Sequence, residues 1–134
     1  MEIRIYYEDT DCGGVVYYAN YLRYFERART QFFLDRKISP AEYQKRGFVF
    51  TVVSALVNYK SPAFYGDLLE AGVIIEGVKG SSFTVHYTLR RPKDDSLIAT
   101  GSTRMACVNE AMKPVRMPSE IREALTLSIP RRKI

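Results

Sequence analysis

The spacing of apolar residues changes from helical to strand-like at Gly47, and that change restricts the fold more than any other feature. Before Gly47, across residues 20–37, apolar side chains recur at helical intervals, namely Tyr21, Phe25, Ala28 and Phe32. After it, four stretches rich in β-branched and aromatic residues have the character of strands: residues 48–59, 68–78, 82–91 and 97–108. The sequence therefore predicts one long amphipathic helix followed by four strands.

Short elements complete this pattern. Residues 2–8 alternate as a strand, and a turn with two glycines follows at residues 9–14. Three side chains are expected to cap helices: Asn20 for the long helix, Ser39 for a short helix ending at Gly47, and Ser119 for a terminal helix over residues 119–127. The four long strands are expected to be joined by hairpins, with good turn sequences at residues 79–81 and 91–96.

These elements predict an α+β fold. A single helix facing about five antiparallel strands buries its apolar stripe against one face of a curved sheet. With 134 residues, 46% of them hydrophobic, the chain has the size and composition of one globular domain over residues 1–134. The tail from about residue 128 is expected to be loose.

Composition also limits the compartment and the cofactors. No apolar run approaches the roughly 18 residues of a membrane span, and no charged segment precedes an apolar one at Met1. A cytoplasmic protein is expected. Cys12 and Cys107 fit free thiols in a reducing compartment and cannot supply a four-ligand zinc site, so no metal is expected.

The net charge of +5 indicates an anionic partner. Nucleic acid is not expected, because no readout motif and no basic stripe along a helix is present. The basic tail, Arg131, Arg132 and Lys133, is expected to be a solvated chain end, and attraction to a membrane surface is the alternative.

The residues that combine best into a reactive site lie between Tyr6 and Tyr21, in the segment YYEDTDCGGVVYYANY. Asp11 precedes a Gly-Gly step and the start of the long helix. Unpaired N–H groups at a helix start can bind a developing negative charge, and a carboxylate beside them is the minimum set for acyl transfer without a serine triad. The alternative is an ordinary Asx-type turn that leads into a helix.

Residues 4–29, RIYYEDTDCGGVVYYANYLRYFERAR, resemble the active-site signature of the 4-hydroxybenzoyl-CoA thioesterase family. Within that family the segment is most similar to the small bacterial acyl-CoA thioesterases associated with the Tol–Pal cluster. The resemblance extends more weakly to about Pro118, through residues 60–63, 66–67, 79–82 and 113–114. It implies the hotdog fold, in which a curved antiparallel sheet wraps a long helix.

The resemblance also implies an activity: hydrolysis of an acyl-CoA thioester to free acid and CoA, with no metal or redox cofactor. Asp11 is then the catalytic carboxylate, which either attacks the thioester carbonyl or activates the water that does. The backbone N–H of Tyr18 polarises the carbonyl oxygen, and the turn at Gly13 and Gly14 lets the chain approach the substrate closely. Many close relatives carry a histidine where this chain has Tyr18, which leaves the general acid unassigned.

Family members work as homodimers that assemble into homotetramers, with active sites at subunit interfaces, and the same assembly is expected here. CoA carries several phosphates, so its pocket needs cations. Lys60 is one candidate, and the turn that contains Lys79, Ser81 and Ser82 is another, because hydroxyl groups and turn amides can join Lys79 on a phosphate. The alternative for that turn is a solvated hairpin.

Other reactive side chains are weaker candidates. His86, the only histidine, lies in a strand pattern opposite the apolar face and is expected to be structural. Cys12 adjoins a carboxylate, which raises the pKa of a thiol and disfavours the thiolate. Two other functions remain open: a non-catalytic hotdog module that binds acyl-CoA or acyl carrier protein, and a dehydratase of the same fold, which usually needs a histidine in the loop-and-helix region.

Overall fold

The structure, a computed structural model, describes residues 1–130. Its elements in chain order are β1 (Glu2–Arg4), a 3-10 turn (Tyr7–Asp9), α1 (Asn20–Asp35), α2 (Pro40–Lys45), β2 (Val49–Tyr59), β3 (Leu68–Glu76), β4 (Ser82–Arg91), β5 (Ser96–Val108) and α3 (Ser119–Leu127). The five strands form one antiparallel sheet, and α1 packs on it. The predicted α+β class is confirmed.

The strand order is β1-β3-β4-β5-β2, so β2 and β1 are the two edges. The hairpins between β3 and β4 and between β4 and β5 form as predicted. The expectation that hairpins join all four long strands is wrong for β2, which pairs with β5 rather than with β3. Alternation along a strand determines which face is buried but does not identify the neighbouring strand.

The first strand is shorter than predicted and ends at Arg4 instead of continuing to residue 8. The carboxylate of Asp9 accepts a hydrogen bond from the backbone N–H of Tyr6, at 2.8 Å, and this closes a 3-10 turn over Tyr7–Asp9. A side-chain bond of this kind competes with the sheet ladder for the backbone, which ends the strand early.

The predicted helix over residues 20–37 forms but ends at Asp35. Its buried face is Tyr21, Tyr24, Phe25, Ala28 and Phe33. The expected contribution of Phe32 is partly replaced by Phe33, whose ring packs near those of Phe50 and Phe83. The Phe32 ring is half-buried under the guanidinium of Arg36.

The two short helices differ in how they begin. The Ser39 hydroxyl accepts from the backbone N–H of Glu42, at 3.3 Å, so the predicted cap of α2 is confirmed. Ser119 was expected to cap α3, but it is the first residue inside that helix, and Pro118 occupies the cap position without a side-chain bond. Ile121 and Leu125 anchor α3 in the core.

Within residues 1–130, every helix is too short or too polar to cross a membrane. No group of three or more His, Cys, Asp or Glu side chains in that same range lies close enough to hold a metal ion.

Candidate active site

A tight turn presents the Asp11 carboxylate to solvent. The backbone N–H of Asp11 donates to Val15 at 2.9 Å, and the N–H of Gly14 donates back to the Asp11 carbonyl at 3.0 Å. One carboxylate oxygen of Asp11 accepts from the N–H of Gly13 at 2.8 Å, as in an Asx turn. Gly14 has a φ of 80°, a conformation that favours glycine. The other carboxylate oxygen of Asp11 has no partner among the described residues.

The start of α1 differs from the expectation. Asn20 was expected to cap the helix, but it is the first helical residue, and its side-chain amide donates to the Asp9 carbonyl at 2.8 Å. The backbone N–H of Tyr17 donates to the same carbonyl at 2.9 Å. Within residues 1–130 no acceptor is found for the backbone N–H groups of Tyr18 and Ala19. These donors are therefore free for a ligand.

A groove of about 300 Å³ adjoins this helix start. Its lining residues come from the turn, from α1 and from the end of β2: Val15, Val16, Tyr18, Tyr21, Tyr59, Lys60, Ser61 and Pro62. Tyr18 and Lys60, two of the predicted site residues, thus meet in one groove. The Tyr59 hydroxyl donates to the Tyr18 carbonyl at 3.4 Å. The walls are aromatic and apolar, which suits an acyl group.

The segment after Lys60 holds the carboxylate turn in place. Val16 donates its backbone N–H to the Ala63 carbonyl at 2.8 Å, and Val15 bridges to Phe64. Asp67 in turn accepts from the backbone N–H of Phe64, at 2.9 Å. The segment therefore supports the chain immediately after Asp11.

The guanidinium of Arg91, at the end of β4, holds this segment in place. It donates to Asp67 at 2.7 Å, to the Pro62 carbonyl at 3.1 Å and to Asp94. The hydrogen bonds that Arg91 donates to Asp94 and then to Asp67 raise the pKa of Arg91, and the contact with Arg91 lowers the pKa of Asp94 to about 2. The sequence alone does not single out Arg91, because its two acidic partners and the Pro62 carbonyl meet it only in the folded chain.

The turn with Lys79, Ser81 and Ser82 lies at the opposite end of the sheet from Asp11. It joins β3 to β4 and is closed by a bond from the Lys79 N–H to the Ser82 carbonyl, at 2.8 Å. The Asp11 turn adjoins the Leu68 end of β3, and nine residues of strand separate the two ends, roughly 25–30 Å. One copy of the chain does not bring these residues to the groove.

The remaining candidates lie elsewhere. His86 is on β4, opposite the buried side chains of that strand, with its Nε2 3.1 Å from a Glu76 carboxylate oxygen. Cys12 is exposed on the Asp11 turn, whereas Cys107 is buried, which raises the pKa of its thiol. Neither cysteine is in a disulfide. The basic tail Arg131, Arg132 and Lys133 lies outside the described residues.

The sequence model of the thioesterase-like superfamily matches residues 6–125. This range includes the carboxylate turn, the groove and strands β2 to β5. The chain belongs to this superfamily. This membership confirms the resemblance seen in the sequence, and with it the hotdog fold and a thioester hydrolase.

Individual relatives agree with this family. The chain is 35% identical over 124 residues to the acyl-CoA thioesterase YbgC of Haemophilus influenzae, covering 91% of this chain and 90% of that protein. Among solved structures, a DHNA-CoA thioesterase from Staphylococcus aureus superposes with a TM-score of 0.83 at 32% identity, over 87% and 78% of the two chains. A 1,4-dihydroxy-2-naphthoyl-CoA thioesterase from Synechocystis shares the fold, with a TM-score of 0.89 at 23% identity over 94% and 93%.

Proposed function

We propose that this chain is an acyl-CoA thioesterase that hydrolyses an acyl-CoA thioester to the free acid and CoA, and that residues 1–134 act as one domain. The observation that carries this proposal is an apolar groove beside the backbone N–H groups of Tyr18 and Ala19, which have no acceptor within residues 1–130, while the exposed Asp11 carboxylate lies on the turn that leads into the groove. The activities named for the relatives support the same substrate class.

In this proposal the thioester carbonyl oxygen accepts a hydrogen bond from the backbone N–H of Tyr18, at the positive end of the α1 dipole. Negative charge that develops on that oxygen is stabilised there, an effect typically worth about 3–4 kcal/mol per donor. Asp11 acts on the carbonyl carbon in one of two ways. It attacks directly to give a mixed anhydride that water then hydrolyses, or it takes a proton from the water that attacks.

No histidine stands at the site to protonate the departing sulfur. The need for one is modest, because a thiol has a pKa of about 8.5 and leaves readily as a thiolate. The sulfur of CoA can therefore take its proton from solvent after the bond to the acyl carbon has broken. Tyr18, in the place of the relatives' histidine, contributes its backbone N–H and an aromatic wall.

A second copy of the chain completes the site in this proposal. Lys60 lies in the groove and suits the near part of CoA, but Lys79, Ser81 and Ser82 are too far from Asp11 of the same copy to hold its phosphates. We propose that they serve the partner's groove across an interface between two copies. This division makes the homodimer the smallest active unit, and the homotetramer is a pair of such dimers.

The β2 edge supports this assembly. Among the described residues, β2 pairs only with β5, so its outer row of backbone N–H and C=O groups is unpaired over eleven residues. Val52, Leu56 and Tyr59 on this strand are 44–58% exposed. A long apolar edge is a template for pairing with another strand, and antiparallel pairing with a second β2 would cover it.

The protein is proposed to work in the cytoplasm without nucleic acid. The free thiols of Cys12 and Cys107 support a reducing compartment. Association with a membrane surface through the basic tail stays a secondary proposal, since Arg131, Arg132 and Lys133 are the residues that would carry it.

The competing function is a hotdog module that binds acyl-CoA or acyl carrier protein without turnover. Release of CoA, followed as free thiol, from a panel of aryl, short-chain and long-chain acyl-CoAs separates the two. Wild type is compared with Asp11→Asn, which keeps the shape and removes the charge, and with Asp35→Asn, an exposed carboxylate at the end of α1, as the matched control.

A fall in turnover of at least a hundredfold in Asp11→Asn alone, with the fold intact, is the expected result. Binding of acyl-CoA without turnover in any of the three proteins would favour the binding module. Turnover that survives in Asp11→Asn would remove the carboxylate assignment.

A further inference from the structure

Asn20 is a buried amide whose partner lies eleven residues upstream. It is 7% exposed, and its Nδ2 donates to the Asp9 carbonyl at 2.8 Å. An Asn at a helix start ordinarily serves as a cap, in which its side-chain oxygen accepts from a backbone N–H of the first turn. Here the side chain acts as a donor and points away from the helix it begins. The cap position belongs to Ala19, which has no polar side chain, so the first turn of α1 has no side-chain cap.

Asp9 accepts three hydrogen bonds in this arrangement. Its carbonyl accepts from Asn20 and from the backbone N–H of Tyr17, and its carboxylate accepts from the N–H of Tyr6 at 2.8 Å. Asp9 itself is only 9% exposed. Two stretches of chain are thereby joined at one peptide: the stretch that leads into Asp11 and the stretch that leads into Tyr18.

The two proposed reactive groups lie within two residues of the residues that these contacts join. Asp11 is two residues after Asp9, and Tyr18 is one residue after Tyr17. The Tyr17 N–H donates to the Asp9 carbonyl, and the Tyr18 N–H that follows it has no acceptor within residues 1–130. The contacts of Asn20 and Tyr17 with the Asp9 carbonyl therefore link the chain that bears Asp11 to the chain that bears Tyr18.

We propose that Asn20 is a positioning residue: its amide holds the start of α1 against Asp9, keeps the Tyr18 N–H free and sets that N–H at a fixed distance from the Asp11 carboxylate. This inference rests on the proposed function for its effect on catalysis, but the geometry on which it acts is independent of it. A displacement of about 1 Å between reacting groups can lower a rate by about a hundredfold.

The side-chain chemistry at this position is specific. An aspartate has the same shape but no amide donor, so it would face the Asp9 carbonyl with a second oxygen. An ionised carboxylate only accepts hydrogen bonds, so the two oxygens would repel each other and the contact that joins α1 to Asp9 would be lost. Alanine would remove the contact without leaving a buried acceptor orphaned, since the Asp9 carbonyl keeps its bond from Tyr17.

The test compares Asn20→Asp and Asn20→Ala with wild type on an acyl-CoA that wild type hydrolyses. Gln31→Glu is the matched control, because it makes the same amide-to-acid change at an exposed site of α1 where the amide donates to Asp35. The kinetic readouts are kcat and KM for protein whose melting temperature and dimer content are also measured. The structural readout is hydrogen exchange of the Tyr17 and Tyr18 amides.

We expect kcat to fall at least tenfold in both Asn20 variants, with KM changed less than threefold, and the Tyr17 amide to exchange at least tenfold faster. Gln31→Glu should change none of these quantities. A purely structural role predicts a lower melting temperature with kcat unchanged per folded molecule, and kcat within twofold of wild type in either folded variant overturns the proposal.

The amide exchange separates this inference from the proposed function. If wild type hydrolyses no thioester of the panel, the thioesterase proposal fails, and the exchange data alone decide the positioning claim. Faster exchange at Tyr17 in both Asn20 variants then supports it, and unchanged exchange overturns it.

Discussion

The ring of Phe25 on α1 lies parallel to the ring of Tyr87 on β4, with 4.5 Å between their centroids and 9° between their planes. The Tyr87 hydroxyl is 2.6 Å from that of Thr103 and accepts from Arg29 at 2.9 Å, so the stack is fixed at its polar end. Such contact requires that α1 lie directly on the sheet. Gly101 on β5 provides the space, because a β-carbon there would lie 2.4 Å from the Phe25 ring.

Gly101→Ala is therefore expected to destabilise the protein by about 1–3 kcal/mol, the usual cost of forcing a methyl group into a packed core. The obstacles are the Phe25 ring and the Leu56 carbonyl, and the carbonyl cannot rotate away. Chemical denaturation measures the effect. The control is Gly80→Ala, where the atom nearest to the added β-carbon is 3.8 Å away. This variant should change the free energy of unfolding by less than about 1 kcal/mol. Equal effects in the two variants would contradict the packing argument.

Tyr24 is expected to make the protein sensitive to alkali. Its ring is 1% exposed, its hydroxyl has no hydrogen-bond partner among the described residues, and its pKa is raised above the ordinary 10.0 by burial first and then by the charge of Asp9. Above pH 10 the unfolded chain ionises this tyrosine while the folded chain does not, so the free energy of unfolding falls as pH rises.

Tyr24→Phe should make that fall between pH 9 and 11.5 shallower in denaturation experiments. At pH 7 the same variant should change stability by less than about 1 kcal/mol or increase it, because the hydroxyl it removes is buried without a partner. Tyr7→Phe, at a ring that is 77% exposed, is the control and should leave the slope unchanged. An alkaline slope identical in Tyr24→Phe and wild type would refute the assignment.

Leu56→Lys on β2 is expected to convert dimers to monomers and to reduce turnover with them. Leu56 is 58% exposed in one copy, and burying a lysine there in a strand-to-strand interface would desolvate its charge. Light scattering across micromolar concentrations measures the change. Leu127→Lys, at a position that is 87% exposed on α3, should leave the mass unchanged. A wild-type protein that is monomeric and fully active would contradict the proposal that two copies share each active site.

A mixed dimer tests which copy supplies the phosphate site. Lys79→Glu alone should raise KM at least tenfold with little change in kcat, because CoA phosphates are held equally in the ground and transition states. A dimer of one Asp11→Asn copy and one Lys79→Glu copy, purified through two different tags, then contains one intact site if Lys79 acts across the interface. We expect about half the wild-type kcat/KM. Activity no higher than that of the two parent dimers would place both residues in the same copy's site.

Features that depend on neighbouring residues could be predicted from the sequence. The Ser39 cap and the two hairpins form as expected, since each needs only contacts within a few residues or between adjacent strands. The same holds for the Asp11 turn, where Gly13 and Gly14 make the local bonds possible. The resemblance of residues 4–29 to a thioesterase signature carried the functional interpretation, and family membership confirms it.

Two expectations were wrong and one residue was missed because the partners involved are distant in sequence. Asn20 bonds to Asp9 instead of capping α1, and β2 pairs with β5 instead of with β3. The role of Arg91 depends on Asp67 and Pro62, which reach it only when β3 and β4 are paired. Helical spacing and strand alternation indicate on which face of a helix or strand a residue lies, but they do not identify the element that packs against that face.

The sequence by itself thus determined the class of fold, the turn that presents a carboxylate and the family to which the chain belongs. All three depend on patterns among residues that are close together in the sequence. The tertiary structure alone decided that the Tyr18 N–H has no acceptor among residues 1–130, that Lys60 shares its groove, and that Lys79 lies at the far end of the sheet. The physical reason is that a hydrogen-bond donor is free or occupied according to what packs against it, and packing joins residues that the linear order keeps apart.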